Sequence, residues 1–121
     1  MKPDLREKAA LLRVLGHPVR LAILMELATG PKCVMAIQEL LEMRQANVSQ
    51  HLTALRHERI VDYHEDGKLR CYYVARPGLV NALRRLVEND FPVLNRSKKA
   101  IRRAAQRRRL EEGNTATGCA R

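Results

Sequence analysis

No apolar run in this chain approaches the roughly 18 residues that a membrane-spanning helix needs, and the first residues, Met1-Lys-Pro-Asp-Leu-Arg-Glu-Lys, lack the apolar core of a signal peptide. A soluble, cytoplasmic protein without membrane partners is therefore expected. Cysteine is scarce: Cys33, Cys71 and Cys119 are an odd number at wide spacing. They do not suggest a disulfide framework, and free thiols in a reducing compartment fit better. No nucleophile sits beside a base, no glycine-rich loop could cradle a phosphate, and no carboxylates are paired for acid–base work, so catalysis is not expected. No internal repeat is visible.

Acidic side chains are also few. Lys and Arg number 23 against 13 Asp and Glu, for a formal charge of +10. The excess is unevenly placed: residues 1–95 carry 14 basic and 11 acidic side chains, residues 96–121 carry 9 and 2. Such a balance points to a polyanionic partner, since phosphate contacts by Lys and Arg release condensed counterions. At 121 residues the chain fits one domain that buries its core incompletely, so a homodimer is expected.

The segment Gln45-Ala-Asn-Val-Ser-Gln-His-Leu-Thr-Ala-Leu-Arg56 is the most informative. Val48, Leu52 and Leu55 recur at i, i+4, i+7, the spacing of a helix buried on one side. Gln45, Asn47, Ser49, Gln50, Thr53 and Arg56 are left to point outward or sideways. These amides and hydroxyls, rather than the usual Glu and Lys, suit base edges and phosphate oxygens.

Its surroundings give it a place. Leu5 to Leu15 reads as a helix ending at Gly16, and Val19 to Ala28 as an apolar core helix entered at Pro18 and stopped by Thr29-Gly30-Pro31. Val34 to Leu41 is a short amphipathic helix, separated by three residues from the helix at Gln45. That pair is the helix-turn-helix arrangement, whose second helix enters the major groove. Arg44, at the expected cap of the second helix, is not a capping residue type.

From Ile60 the period becomes alternating, with Ile60 to His64 and Leu69 to Val74 as strands joined through Glu65-Asp-Gly-Lys68, in which Asp66-Gly67 is a strong hairpin signal. Lys68 and Arg70 fall near the tip. A last apolar helix runs from Leu79 to about Asp90, its stripe of Leu79, Leu83 and Leu86 exposed in a monomer and expected, with the first helix, to pair with a mate. From Arg96 to Arg109 there are eight basic residues and no acidic ones, a density that favours disorder until a polyanion binds. The expected fold is mostly α with a two-stranded β-wing: a winged helix-turn-helix over residues 1–95, dimerising through its first and last helices, then a basic, flexible tail over 96–121.

The stretches Leu15-Gly-His-Pro-Val-Arg-Leu-Ala-Ile-Leu24, Val48-Ser-Gln-His-Leu-Thr-Ala-Leu-Arg56 and Gly67-Lys-Leu-Arg-Cys-Tyr-Tyr-Val74, in this order, resemble the ArsR/SmtB family of small dimeric winged-helix repressors. The resemblance covers Leu5 to Asp90. It implies a homodimer that represses at a double-stranded DNA operator and leaves it when an inducer binds. By that pattern Gln45, Asn47, Ser49, Gln50 and His51 lie at or near the groove, Arg56 near phosphate, and Lys68 and Arg70 on the wing. Asn47 and Gln50 rank first for base reading, because amides pair bidentately with adenine. His51 has two readings, in the groove or half buried as an orienting residue.

Inducer recognition departs from the family. Arsenic-sensing members carry Cys-x-Cys in the helix before recognition, whereas Cys33-Val-Met35 has Met in the second place; zinc-sensing members use Asp and His pairs on the terminal helix, and Leu79 to Asp90 has no His. A soft metal or metalloid wants two or three thiolates. Cys33 and Cys71 would supply two if the third helix starts near the second wing strand, with Cys119 arriving on the tail. No cofactor is called for, and the expected inducer is arsenite or another thiophilic metal ion. The same cysteines would equally serve a redox or sulfur sensor, or be small packed residues, with Cys119 a bystander. His17, His57 and His64 lack ligand spacing and read as structural or exposed, and Asp62, Glu65 and Asp66 as turn and solvent residues. A different class stays open: a non-specific architectural protein binding nucleic acid through its basic tail.

Overall fold

A computed structural model describes residues 4–114. The first helix, α1 (Leu5–Leu15), starts where the Asp4 carboxylate accepts the Arg6 backbone N–H at 3.0 Å, and ends at Gly16. In α2 (Pro18–Leu27), His17 takes the capping role: its Nδ1 accepts the Val19 N–H at 3.1 Å, and Pro18 fills the first helical position, where its missing N–H costs nothing.

A strand of two residues, β1 (Lys32–Cys33), leads directly into α3 (Val34–Leu41). A three-residue turn then enters α4 (Gln45–His57), whose start has no side-chain cap, in keeping with the residue type of Arg44. Strands β2 (Val61–Asp66) and β3 (Leu69–Val74) form the hairpin, and α5 (Pro77–Glu88) follows.

The two expected strands of the wing, β2 and β3, pair as a hairpin, and β1 adds a third strand to give the order β1-β3-β2, all antiparallel. Two residues between Pro31 and a helix are too few to show an alternating pattern, so β1 left no trace in the sequence. The hairpin loop lies within the expected Glu65–Lys68 connection, with β2 running on through Asp66. Asp66 pairs with Leu69, so Gly67 and Lys68 are the loop, and Gly67 at its first position holds φ +64°, the left-handed backbone that glycine adopts freely. Lys68 is thereby placed in the loop itself.

All the helices of this unit, and strands β2 and β3, contribute to one apolar core. Ile23, Leu24, Ile37, Val48, Leu52, Leu55, Ile60 and Val61 are fully buried, joined by Leu11 and Leu15 of α1, Tyr72 of β3, and Val80 and Leu83 of α5. Among the described residues no polar side chain is buried. Leu5 and Leu12 of α1 and Leu86 and Val87 of α5 stay exposed.

The first compact unit ends at Asp90. The helix α5 stops at Glu88, before Pro92, because Asn89 is already extended. The second unit contains α6 (Lys98–Asn114), a helix where charge density had favoured disorder. Ala100, Ala104, Ala105 and Leu110 are strong helix formers, as are Arg, Lys and Gln, and the Ser97 hydroxyl accepts the Ala100 N–H at 3.1 Å to start it. No helix among the described residues is long and apolar enough to cross a membrane.

Candidate nucleic-acid interface

The two helices α3 and α4 end alike. In each a residue just past the helix lies in the left-handed region, Glu42 at φ 52° and Arg59 at φ 56°, and the next N–H reaches back five residues, Met43 to Gln38 at 3.1 Å and Ile60 to Leu55 at 3.0 Å. These are Schellman closures without the usual glycine. The first turns the chain into α4; the second drops Ile60 into the core and aims β2 back along the helix.

The buried Val48, Leu52 and Leu55 hold α4 by one side. Gln45, Asn47 and Gln50 are exposed, and their side chains have no partner among the described residues. Ser49 is half-buried, and Thr53 spends its proton on the Ser49 carbonyl at 2.8 Å. His51 turns toward α2. Its Nδ1 accepts from Arg20 Nε at 3.2 Å, and its ring lies 4.6 Å from that of His17. Burial first, then the neighbouring His17 and Arg20, hold its pKa below the ordinary imidazole value. His51 is thus half-buried and held against α2.

Arg56, expected near phosphate, has neighbours within the fold. Its Nε donates to Asp62 Oδ1 at 3.0 Å, and its guanidinium carbon sits 4.4 Å from the centre of the Tyr63 ring. Asp62, read from sequence as a solvent residue, also accepts the Tyr63 N–H at 2.8 Å. The Arg56 bond chiefly, and the backbone bond next, hold its carboxyl below the usual carboxylate range. Both partners are about half exposed (50% and 46%), so water screens the pair and its main effect is to position Arg56. Arg70 places its guanidinium 4.6 Å from the same ring centre and lies 3.9 Å from Glu65. Lys68 is exposed in the hairpin loop.

Two open clefts flank this wing. One is walled by Gln45, Ser49 and Thr53 of α4, by Lys68 to Arg70, and by Cys33 to Met35. The other brings together Arg56, Arg59, Arg70 and Arg76, with Arg76 Nε donating to the Arg59 carbonyl at 3.3 Å. Sequence reasoning does not single out Arg59 and Arg76; the only signal available was their position on either side of the hairpin.

Cys33 and Cys71 are brought together as direct cross-strand neighbours of β1 and β3, both half-buried and free. Cys119 lies outside the described residues. Among the described residues no group of three or more His, Cys, Asp or Glu side chains is arranged to hold a metal ion. Among the described residues the thiol pair offers two ligands and no third.

A family model described as bacterial regulatory protein, arsR family, matches residues 17–63. The structure superposes on that of the transcriptional repressor BigR from Xylella fastidiosa with a TM-score of 0.63 and 30% identity, covering 73% of this chain and 92% of that one. The chain belongs to the arsR family of bacterial regulatory proteins. Within the arsR family it is 37% identical over 75 residues to a biofilm growth-associated repressor of Agrobacterium fabrum, covering 62% of this chain and 64% of that relative's length. It is also similar, at 29% identity and a TM-score of 0.63 over 69% of this chain and 80% of the other, to a homodimeric winged helix-turn-helix DNA-binding domain from Mycobacterium bovis. The arsR family is one of regulators and not of enzymes.

Proposed function

We propose that the protein binds an operator in duplex DNA as a homodimer, represses transcription there, and is released when arsenite or another thiophilic metal ion engages its thiols. The observation that carries this reading is the exposed start of α4. Gln45, Asn47 and Gln50 have no partner among the described residues, on a helix whose other side is fully buried and beside a loop bearing Lys68. Amides so held can exchange two hydrogen bonds with an adenine edge, while Lys68 meets phosphate.

A second copy of the chain is the occupant proposed for the exposed Leu5 and Leu12 of α1 and Leu86 and Val87 of α5. The homodimeric state of the Mycobacterium bovis domain supports that choice. For the inducer, the support is the adjacency of Cys33 and Cys71, with Cys119 as the candidate third ligand.

Gel retardation of the DNA upstream of the protein's own gene tests the reading. Retention that survives competition by random duplex, is lost on adding arsenite, and becomes indifferent to arsenite in Cys33→Ser is expected. Release that persists without all three cysteines would sink the thiol mechanism, and equal competition by random duplex would sink the operator.

The second reading, non-specific binding through the tail, draws on α6. At 100° per residue, Lys98, Lys99, Arg102, Arg103, Arg107 and Arg109 fall on one half of that helix, and Ala100, Ile101, Ala104 and Ala105 on the other, with Arg108 among them. It requires that deleting residues 96–121 abolish binding while Asn47→Ala with Gln50→Ala leaves it intact.

A further inference from the structure

We propose that Cys33 and Cys71 are a dithiol–disulfide couple, closed by a peroxide, that fastens the start of α3 to the wing and weakens the hold on DNA. The DNA effect rests on the operator-binding reading above; the couple itself does not.

Strand register places the two thiols. The two-residue loop Gly67-Lys68 makes its flanking pair, Asp66 and Leu69, a hydrogen-bonded pair. Alternation along the hairpin then makes His64 and Cys71 hydrogen-bonded, and Tyr63 and Tyr72 not. The Tyr63 and Tyr72 rings, 5.2 Å between centres, show the close side-chain approach of the second type. Cys71 therefore turns its backbone groups toward β2, and bonding toward β1 passes through Tyr72, the partner of Lys32. Cys33 and Cys71 are left as a non-hydrogen-bonded pair.

In that kind of pair the Cα atoms stand about 4.5 Å apart and both side chains rise on one face of the sheet. A disulfide needs roughly 4.4 to 6.8 Å between Cα atoms, so closure asks for little backbone movement. Both thiols are half-buried, open to a small oxidant.

The chemistry balances with one peroxide. One thiolate attacks a peroxide oxygen, forming a sulfenic acid and releasing water or an alcohol. The other thiolate attacks that sulfur, the S–S bond forms, and hydroxide leaves to take up a proton as water. Two thiols are oxidised, and the O–O bond is reduced.

The couple's position gives the bond its consequence. Cys33 immediately precedes α3 and shares a cleft with Gln45, Ser49 and Thr53 of α4 and with Lys68 and Arg70 of the wing. The strand β1 has only two residues, so one covalent link fixes nearly all of it. Two elements that must settle together onto DNA then move as one, at a spacing set by the disulfide and no longer by the duplex.

The test uses the full chain carrying Cys119→Ser, treated with hydrogen peroxide and then with a thiol-blocking reagent. An intact mass lower by two hydrogens, a linked Cys33–Cys71 peptide, and operator affinity lower by about tenfold and restored by dithiothreitol are expected. Cys33→Ser and Cys71→Ser keep the reduced protein's affinity and lose the response. A cross-link only between chains, sulfinic acid without a cross-link, or a cross-link that leaves affinity unchanged would each overturn the proposal. Should the reduced protein show no operator preference, the operator reading fails by itself, and the peptide map still decides whether the couple exists.

Discussion

Arg20 and His51, 31 positions apart in sequence, are joined by a hydrogen bond of 3.2 Å from Nε to Nδ1 that ties the start of α2 to the middle of α4. Since Nδ1 accepts, the imidazole is neutral in the fold, and burial, then His17 and Arg20, lower its pKa. The unfolded chain therefore takes up this proton more readily. The fold has its full stability from this group above the ordinary value of about 6.5, and loses it as pH falls from there toward the depressed value. Between about pH 7 and pH 5 the melting temperature of the wild type should drop further than that of His51→Gln, whose amide oxygen can still accept from Arg20. Equal drops would remove the imidazole from the account.

Asn47→Ala and Gln50→Ala should each cost about 1–3 kcal/mol of discrimination between operator and random duplex, with little change in melting temperature because neither side chain has a partner among the described residues. Competition binding at fixed salt reads the first quantity and calorimetry the second. A uniform loss on all sequences would assign these residues to phosphate contact instead.

Glu42→Gly should stabilise the protein by about 0.5–1 kcal/mol. The left-handed backbone costs an ordinary residue roughly 1–2 kcal/mol, partly offset by the greater freedom of glycine in the unfolded chain. Urea denaturation of Glu42→Gly, and of Arg59→Gly for the same reason, measures the gain; a loss of stability in both would show that their side chains contribute more than the strain costs.

Leu12→Glu with Leu86→Glu should leave the unit folded and make it monomeric, because both residues are exposed within one chain, at 63% and 57%. Analytical ultracentrifugation beside circular dichroism decides it. A dimer unmoved by both charges would place the interface elsewhere.

Removing residues 96–121 should flatten the dependence of log affinity on log salt by about 0.9 for each phosphate that the tail had neutralised, leaving the operator-to-random ratio nearly intact. A collapsed ratio would make the tail part of the sequence reader.

What was legible in the sequence was whatever repeats within one element. Val48, Leu52 and Leu55 mark α4 by their spacing, and Pro18, Gly16, Pro31 and Gly67 mark ends and turns by chemistry local to them. What was not legible joins elements. The Arg56–Asp62 pair spans a helix and a strand, Arg20 and His51 meet only when α2 packs on α4, and β1 exists only because β3 is there to receive it. The adjacency of Cys33 and Cys71 could be stated from sequence only as a condition on where the third helix starts, a condition β1 satisfies. In α6 the alanines and the long side chains outweighed a repulsion that charge counting had weighted more heavily.

The Schellman closure at Arg59 and the uncapped entry at Arg44 bound α4, and its unpartnered amides occupy only the opening stretch from Gln45 to Gln50. Those five steps advance about 7.5 Å along the helix axis, roughly two base-pair rises of about 3.4 Å. One copy can therefore spell a word of about three letters, which recurs by chance every few dozen base pairs of any genome. An address worth finding exists only when two such words stand a fixed distance apart on the same duplex, and that distance is set by whatever joins one α4 to another.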